Sequence, residues 1–316
     1  MKVSLITTVK NDAQHADLLI SAILGQCRRP DEWIVVDGGS IDGTEAKFKA
    51  VPLCTVLAQP CNRARGRNLA ISRASGEVIA VTDAGCLPSP VWLEGLVARV
   101  ERQKRRIAAG QSNCRIRTSF DAAQHALMDQ FVSDAIRLRR PTASCRSLAF
   151  PRAAWQECPF PEWLDTGEDS WLLLRWRDNG WTTEFVQEGA TEWIPPQSFN
   201  GFIRQYFRYM RGEGRAGIHG GRHLLRILFY LGLVLLPMAG GFLFSSLAAS
   251  CAIWLSYFLL NALRLAGAVR DRPFSFAVRA FCWLLPALPA MDAAKMAGFV
   301  IGSLERLLLS KYRRTC

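Results

Sequence analysis

The chain lacks any Cys-x-x-Cys pair, and its ten cysteines are scattered along it. That spacing excludes a zinc site built on paired cysteines and favours reduced thiols over a disulfide framework. Histidine is scarce, four in 316 residues, and none of the four belongs to a ligand cluster. There is no internal repeat and no low-complexity segment, which argues against solenoids and disordered tails. No apolar leader precedes the first strand-like run, so no signal peptide is expected. Charge of either sign is missing from Ile227 to Leu263. Elsewhere acids are outnumbered, and the formal net charge is +12. A basic balance of that kind suits nucleic acid, anionic lipid or phosphorylated substrates. Much of the excess flanks the apolar C-terminal part and no nucleic-acid motif appears. Membrane lipid is therefore an expected partner and nucleic acid is not.

What is present begins with buried-strand runs that end in polar turns. Val3-Ser4-Leu5-Ile6-Thr7-Thr8-Val9 is followed by Lys10-Asn11-Asp12. A helical stretch, Asp17 to Gly25, leads to Trp33–Asp37, which completes a βαβ unit. The second strand ends in Asp37-Gly38-Gly39-Ser40-Ile41-Asp42-Gly43-Thr44. Ligands of open α/β sheets bind outside the carboxyl ends of the strands, so Asp37 is a candidate ligand-binding residue. The glycines permit close backbone approach, and Asp42 with Thr44 is placed to cap the helix that follows. Arg63-Ala64-Arg65-Gly66-Arg67-Asn68 comes next, then a strand at Val78–Thr82 that ends in Asp83-Ala84-Gly85-Cys86. Far downstream stands Gly167-Glu168-Asp169-Ser170-Trp171. Ser147–Phe150 reads as a further strand.

The order of these four motifs resembles the family 2 glycosyltransferases, over roughly residues 3 to 215. The resemblance implies an α/β GT-A fold, a Rossmann-like nucleotide-diphospho-sugar transferase domain. It implies a nucleotide-sugar donor held by the first strand ends and the Asp-Gly-Gly-Ser loop, with Thr8, Asn11, Asp37 and Ser40 as binding residues. Arg67 and Asn68 match an Arg-Asn pair near the base and phosphates. Asp83 matches the first acid of a metal motif, so Mg²⁺ or Mn²⁺ is the implied cofactor. Asp169 matches the general base; Glu168 beside it is either the base or the residue that orients it. The types suit the chemistry. A divalent ion neutralises a diphosphate leaving group, and Mg²⁺ is commonly held by one or two carboxylates plus phosphates and waters. A carboxylate base that activates the acceptor hydroxyl implies inversion at the anomeric carbon. One departure stands out: Gly85 occupies the position of the second metal-motif acid. It is the one feature that favours the alternative of a non-catalytic partner subunit, which the intact Glu168-Asp169 opposes. A nucleotidyltransferase on a related fold is the other rival, and it needs neither an anchor nor the Glu-Asp pair.

The catalytic domain is expected over residues 1–200. A basic amphipathic interfacial segment with a glycine-rich linker follows at 201–223. In it Gln205-Tyr206-Phe207-Arg208-Tyr209 loosely resembles a Gln-x-x-Arg-Trp motif of processive relatives. Gln205 and Arg208 are thereby candidates to touch the donor diphosphate, the acceptor or anionic lipid. Two transmembrane helices are expected within 224–266, at about 225–245 and 248–266. Residues 267–316 are expected to hold an interfacial or re-entrant segment, 274–301, and a basic cytoplasmic tail, because Arg279, Pro286, Pro289, Asp292 and Lys295 interrupt that run. Basic residues on both flanks of the helix pair put the catalytic domain on the cytoplasmic side of a multi-pass inner-membrane protein. A helix covering the acceptor side is expected at Phe120–Arg139. The implied acceptor is lipid-linked or another membrane-associated saccharide. The sugar, the nucleotide and the oligomeric state are not legible.

Overall fold

In a computed structural model of the chain, residues 1–102, 104–128, 143–239 and 243–309 are described. These described residues divide into two compact units, one within 1–113 and 143–194, the other within 114–128 and 195–309.

The first unit is built on a sheet. Strands β1 (Val3–Val9), β2 (Glu32–Asp37), β3 (Cys54–Ala58) and β4 (Val78–Val81) are mutually parallel, and β7 (Leu148–Pro151) runs antiparallel to β4. With β5 (Cys86–Pro88), β6 (Arg106–Cys114) and β8 (Thr182–Trp193), the order across the sheet is β3-β2-β1-β4-β7-β6-β8-β5. Strands covered on both faces carry apolar runs with little alternation, and β2 and β4 are buried almost throughout. Helices α1 (Ala13–Leu24), α2 (Thr44–Lys49), α3 (Arg63–Arg73) and α4 (Trp92–Arg102) connect them. Leu5, Trp33, Val35, Phe48, Val78, Ala80 and Trp92 meet in one core. Each large apolar side chain there contributes about 1.5–3 kcal/mol. The expected βαβ unit and the strand at Ser147–Phe150 are both formed, the strands within a residue of their expected bounds and the helix starting four residues earlier, at Ala13 rather than Asp17.

The chain order fixes the place of the site. From β1 the chain moves outward through β2 and β3, then returns to β4 on the other side of β1. That reversal between β1 and β4 is a topological switch point, and the cleft outside its carboxyl ends is where such sheets take ligands. Helix α5 (Ser119–Leu127) belongs to the second unit, while α6 (Arg152–Glu157) and α7 (Glu168–Asp178) belong to the first.

The second unit is helical. Besides α5 it holds α8 (Phe199–Ala216), α9 (Gly220–Ala239), α10 (Leu243–Val269) and α11 (Phe274–Leu308). Of the helix expected at Phe120–Arg139, α5 forms the start and ends at Leu127, with Met128 already extended; residues 129–139 fall outside the described residues. A capping box, Thr118 with Asp121, starts α5. Phe120, Phe202, Leu265, Leu284 and Met291 form the unit's apolar core. Ala248–Val269 and Phe274–Leu308 are long and apolar enough to cross a membrane. The first expected span corresponds in part to α9, and residues 240–242 fall outside the described set.

Two readings of this unit differ from expectation. The run 274–301 does not turn back on itself: α11 is one continuous helix that includes Pro286 and Pro289. Asp292 and Lys295 do not interrupt it because both side chains are buried against partners. The basic stripe of α8 is not wholly open either. Arg211 and Arg215 both donate to Glu305 on α11, with Arg215 Nε 2.7 Å from Oε2, while Arg204 and Arg208 remain exposed. Gly298 and Gly302 let α11 lie against α8, since a Cβ at either would meet the backbone carbonyls of Phe207 and Arg211.

Candidate functional site

The loops after β1 and β2 are stitched together. Asn11 N–H donates to Ser40 Oγ (2.8 Å), Ile41 N–H to Asn11 Oδ1 (2.9 Å), Asp12 N–H to Thr44 Oγ1 (2.8 Å) and Ala13 N–H to Asp42 Oδ2 (3.0 Å). Asn11 takes a positive φ of 51° to make this turn. Asp42 therefore serves two helix starts, since its Oδ1 also accepts from Thr44 N–H at 3.1 Å. Gly39 and Gly43 stand at φ of 94° and 86°, where a side chain would be strained.

Asp37 ends β2 inside this frame and is 1% exposed. Its Oδ1 accepts from Gly39 N–H at 2.8 Å and Ser40 N–H at 2.6 Å. Its Oδ2 is buried and has no hydrogen-bond partner. Buried polar atoms are nearly always paired, so this oxygen is an acceptor held ready for a donor group. Thr8, on the last turn of β1, is partly exposed beside the same tips.

On the other side of the switch point, Arg67 of α3 joins two acids. Its Nη2 is 2.6 Å from Asp83 Oδ1 and its Nη1 is 2.6 Å from Glu168 Oε1. Arg67 and Glu168 are each 1% exposed, whereas the Asp83 side chain is 23% exposed. Arg63, one turn earlier on α3, comes within 3.7 Å of the same Glu168 oxygen. Burial would raise Asp83, but the guanidinium groups of Arg67 and Arg63 hold its carboxyl below the usual range. Burial pushes the Glu168 carboxyl up, with Asp169 adding to the rise against the pull of Arg63 and Arg67. Asp169 follows as the second residue of α7, where the positive end of the helix favours a carboxylate. It is less buried than Glu168. Its Oδ2 accepts from Cys145 N–H at 3.3 Å and its Oδ1 from Ser170 N–H at 2.7 Å.

Two expected nucleotide contacts are turned away from open space. Arg67 is buried with both terminal nitrogens on carboxylates. Asn68 places its amide on residues 155–162: Nδ2 donates to Phe160 O (2.9 Å) and Glu162 Oε1 (3.0 Å), and Oδ1 accepts from Trp155 Nε1 (2.9 Å) and Phe160 N–H (3.0 Å). That fills the amide's ordinary hydrogen-bonding capacity. Gln205 and Arg208 lie on α8 of the second unit, with Gln205 Nε2 donating to Tyr209 Oη at 2.7 Å. Arg63 and the Cys145 amide were not singled out from sequence. The i,i+4 spacing of Arg63 and Arg67 could have marked the first; nothing local marks the second.

The residues fit a divalent ion of limited protein ligation. Gly85, at φ 73°, brings no carboxylate. Among the described residues no group of three or more His, Cys, Asp or Glu side chains gathers. One oxygen of the partly exposed Asp83 is occupied by Arg67, which leaves the other for an ion completed by phosphates and waters.

Comparison with known proteins gives the family. The family model for glycosyl transferase family 2 matches residues 4–151, and that for glycosyl transferase family group 2 matches residues 78–291. Glycosyltransferase AglE of Haloferax volcanii is 24% identical over 221 residues, covering 67% of this chain and 72% of that protein. Among solved structures, the mannosyltransferase PcManGT from Pyrobaculum calidifontis, in complex with GDP-Man and Mn²⁺, superposes with a TM-score of 0.54 at 20% identity. That superposition covers 97% of this chain and 87% of PcManGT.

Proposed function

The chain belongs to glycosyltransferase family 2, and from that premise we propose that it is a membrane-anchored, inverting enzyme. It moves a sugar from a nucleoside-diphosphate donor to a hydroxyl of a lipid-linked or other membrane-associated acceptor. The observation that carries the donor side is the orphaned Oδ2 of Asp37 at the switch point. In this reading that oxygen accepts a hydrogen bond from the base or ribose, and Thr8, Asn11 and Ser40 line the same tips. The diphosphate lies towards Asp83. An Mg²⁺ or Mn²⁺ ion held there by Asp83 and the phosphates supplies charge neutralisation for the leaving group; the Mn²⁺ and GDP-Man carried by PcManGT support this reading.

Asp169 is the proposed base. It is partly exposed, ionisable, and held in place by backbone N–H groups, while Glu168 is buried on Arg67. Its carboxylate takes the proton of the acceptor hydroxyl as that oxygen attacks the anomeric carbon opposite the diphosphate. The configuration inverts, and the proton resides on Asp169 until exchange with solvent. The uncharged run and the two helices long enough to cross a membrane support a membrane anchor. The arginines on both sides of the uncharged run, Arg222 and Arg226 before it and Arg264, Arg270 and Arg272 after it, support a cytoplasmic catalytic unit. Gln205 and Arg208 remain proposed contacts for a phosphate or acceptor.

The test is nucleotide release by detergent-solubilised full-length protein. A panel of nucleotide sugars with Mg²⁺ or Mn²⁺ and lipid extract is compared with Asp169→Asn. Release from one donor, lost in the variant, is the expected result. Release that persists in Asp169→Asn removes the base assignment, and activity indifferent to chelation removes the metal.

A further inference from the structure

Arg67 is the most completely enclosed cation near the proposed site, and its partners are unusual. One guanidinium is shared by two carboxylates of different elements, Asp83 after β4 and Glu168 at the start of α7, each 2.6 Å away. A buried ion pair is weak support for stability, because desolvation offsets much of the attraction. This one is also incompletely satisfied, since Glu168 Oε2 and Arg67 Nε are buried without hydrogen-bond partners. Its two ends are informative. Asp83 is the proposed metal carboxylate, and Glu168 is covalently next to Asp169, the proposed base. Gly167, at φ 75°, opens α7 directly before them.

We infer that Arg67 and Glu168 are positioning residues that couple the metal carboxylate to the base, rather than a nucleotide ligand and a second base. The inference rests on the roles proposed above for Asp83 and Asp169. The rigid fork of Arg67 holds both carboxylates in one plane of contact. By dividing its charge between them, Arg67 also sets how negative Asp83 is towards a cation. Glu168 draws part of that positive charge away, and so acts on a cation at Asp83 without touching it.

The coupling has a sign that scaffolding alone does not have. Glu168→Gln leaves the whole guanidinium to Asp83 and makes the surroundings one unit more positive, so Mn²⁺ binds at least about tenfold more weakly. Arg67→Gln removes the competing cation, so Mn²⁺ binds more tightly while transfer is lost. Arg67→Lys keeps the charge but not the fork. Its Mn²⁺ affinity stays within about twofold of the wild type while kcat falls, with the donor KM little changed.

The measurement is the electron paramagnetic resonance signal of free Mn²⁺, titrated into the full chain in detergent with GDP and, separately, with UDP. Opposite shifts for Glu168→Gln and Arg67→Gln are the expected result. If both variants weaken Mn²⁺, or neither changes it, the coupling is wrong and the metal role of Asp83 survives. If the wild type binds no Mn²⁺ with either nucleotide, the metal role and the coupling fall together. Should Arg67→Gln fail to fold, Glu168→Gln with Arg67→Lys still decides: equal Mn²⁺ affinity in both overturns the inference.

Discussion

Each unit buries a charged cluster, and the two are built differently. In the first, Asp83, Arg67 and Glu168 come from a strand tip, a helix and a helix start. In the second, Asp292 of α11 accepts from Tyr230 of α9 and Tyr257 of α10, both at 2.8 Å on one oxygen, while Arg226 Nε stands 3.3 Å from the other. The first cluster gathers charge where a ligand would enter. The second joins Arg226 and Tyr230 of α9 and Tyr257 of α10 to Asp292 of α11, and so ties three helices. Glycine divides the same way. Gly39, Gly43, Gly85 and Gly167 serve positive φ at loop positions, whereas Gly298 and Gly302 serve close helix contact. Similar residues thus do chemical placement in one unit and assembly in the other.

The sharpest way to break that contrast is to exchange effects between the clusters. Asp169→Asn should lower transfer by about 10²–10⁴-fold while nucleotide affinity, read by calorimetry, changes little. Asp292→Leu should do the converse. It leaves Arg226 and two tyrosine hydroxyls without their shared acceptor, which costs about 3–5 kcal/mol, seen as a lower unfolding temperature in detergent. The donor KM of the protein that stays folded should be unchanged. Lost transfer in a fully stable Asp292→Leu protein would place that cluster in the chemistry and end the distinction.

How much of this was legible follows from where each residue's partners lie. The tips of β1, β2 and β4 could be read because apolar runs stop at Asp, Asn and Gly within a few positions. Asp37 and Asp83 stand at such ends, whereas Asp169, the second residue of α7, was marked only by the family's Glu-Asp motif. The inward turn of Arg67 and Asn68 could not be read, because Glu168 and Phe160 lie about a hundred residues away. The same limit applies to α11. Asp292 and Lys295 look like breaks in an apolar run until Tyr230, Tyr257 and Tyr206 are seen beside them. The arginine stripe of α8 was legible, but not that Glu305 neutralises part of it. Gly85 brings no carboxylate, and among the described residues no multi-acid cluster stands in its place.

A smaller test addresses glycine. Gly302→Ala places a methyl against the Arg211 carbonyl, and overpacking of this order costs about 1–3 kcal/mol. Gly43→Ala meets nothing within 4 Å but takes φ 86°, so its penalty is conformational and about 1 kcal/mol. The contrast predicts that a larger side chain worsens position 302 and leaves position 43 nearly as it was with Ala. Equal sensitivity to size at both, measured by urea unfolding, would erase the division between the two uses of glycine.

The smallest expected effect concerns a carboxylate with no part in either cluster. Glu32 opens β2 opposite its register partner Ser4 on β1. Its Oε1 accepts from Ser4 Oγ at 2.6 Å and from Ser75 N–H and Oγ, each at 2.7 Å. Burial would raise its pKa, but these bonds to the charged form outweigh it and hold the carboxyl below its ordinary value. A group with a depressed folded pKa adds stability above its unfolded pKa and loses it as pH falls through the folded value. Glu32→Gln keeps the shape and weakens the acceptor, so at pH 7 it should cost about 1 kcal/mol. The wild type should then lose its advantage in acid, as the pH falls through the lowered value of its own carboxyl. Urea unfolding of both proteins across that range reads the difference directly. A gap that stays constant with pH would mean that shape at the β1–β2 edge, and not the charge, is what Glu32 contributes.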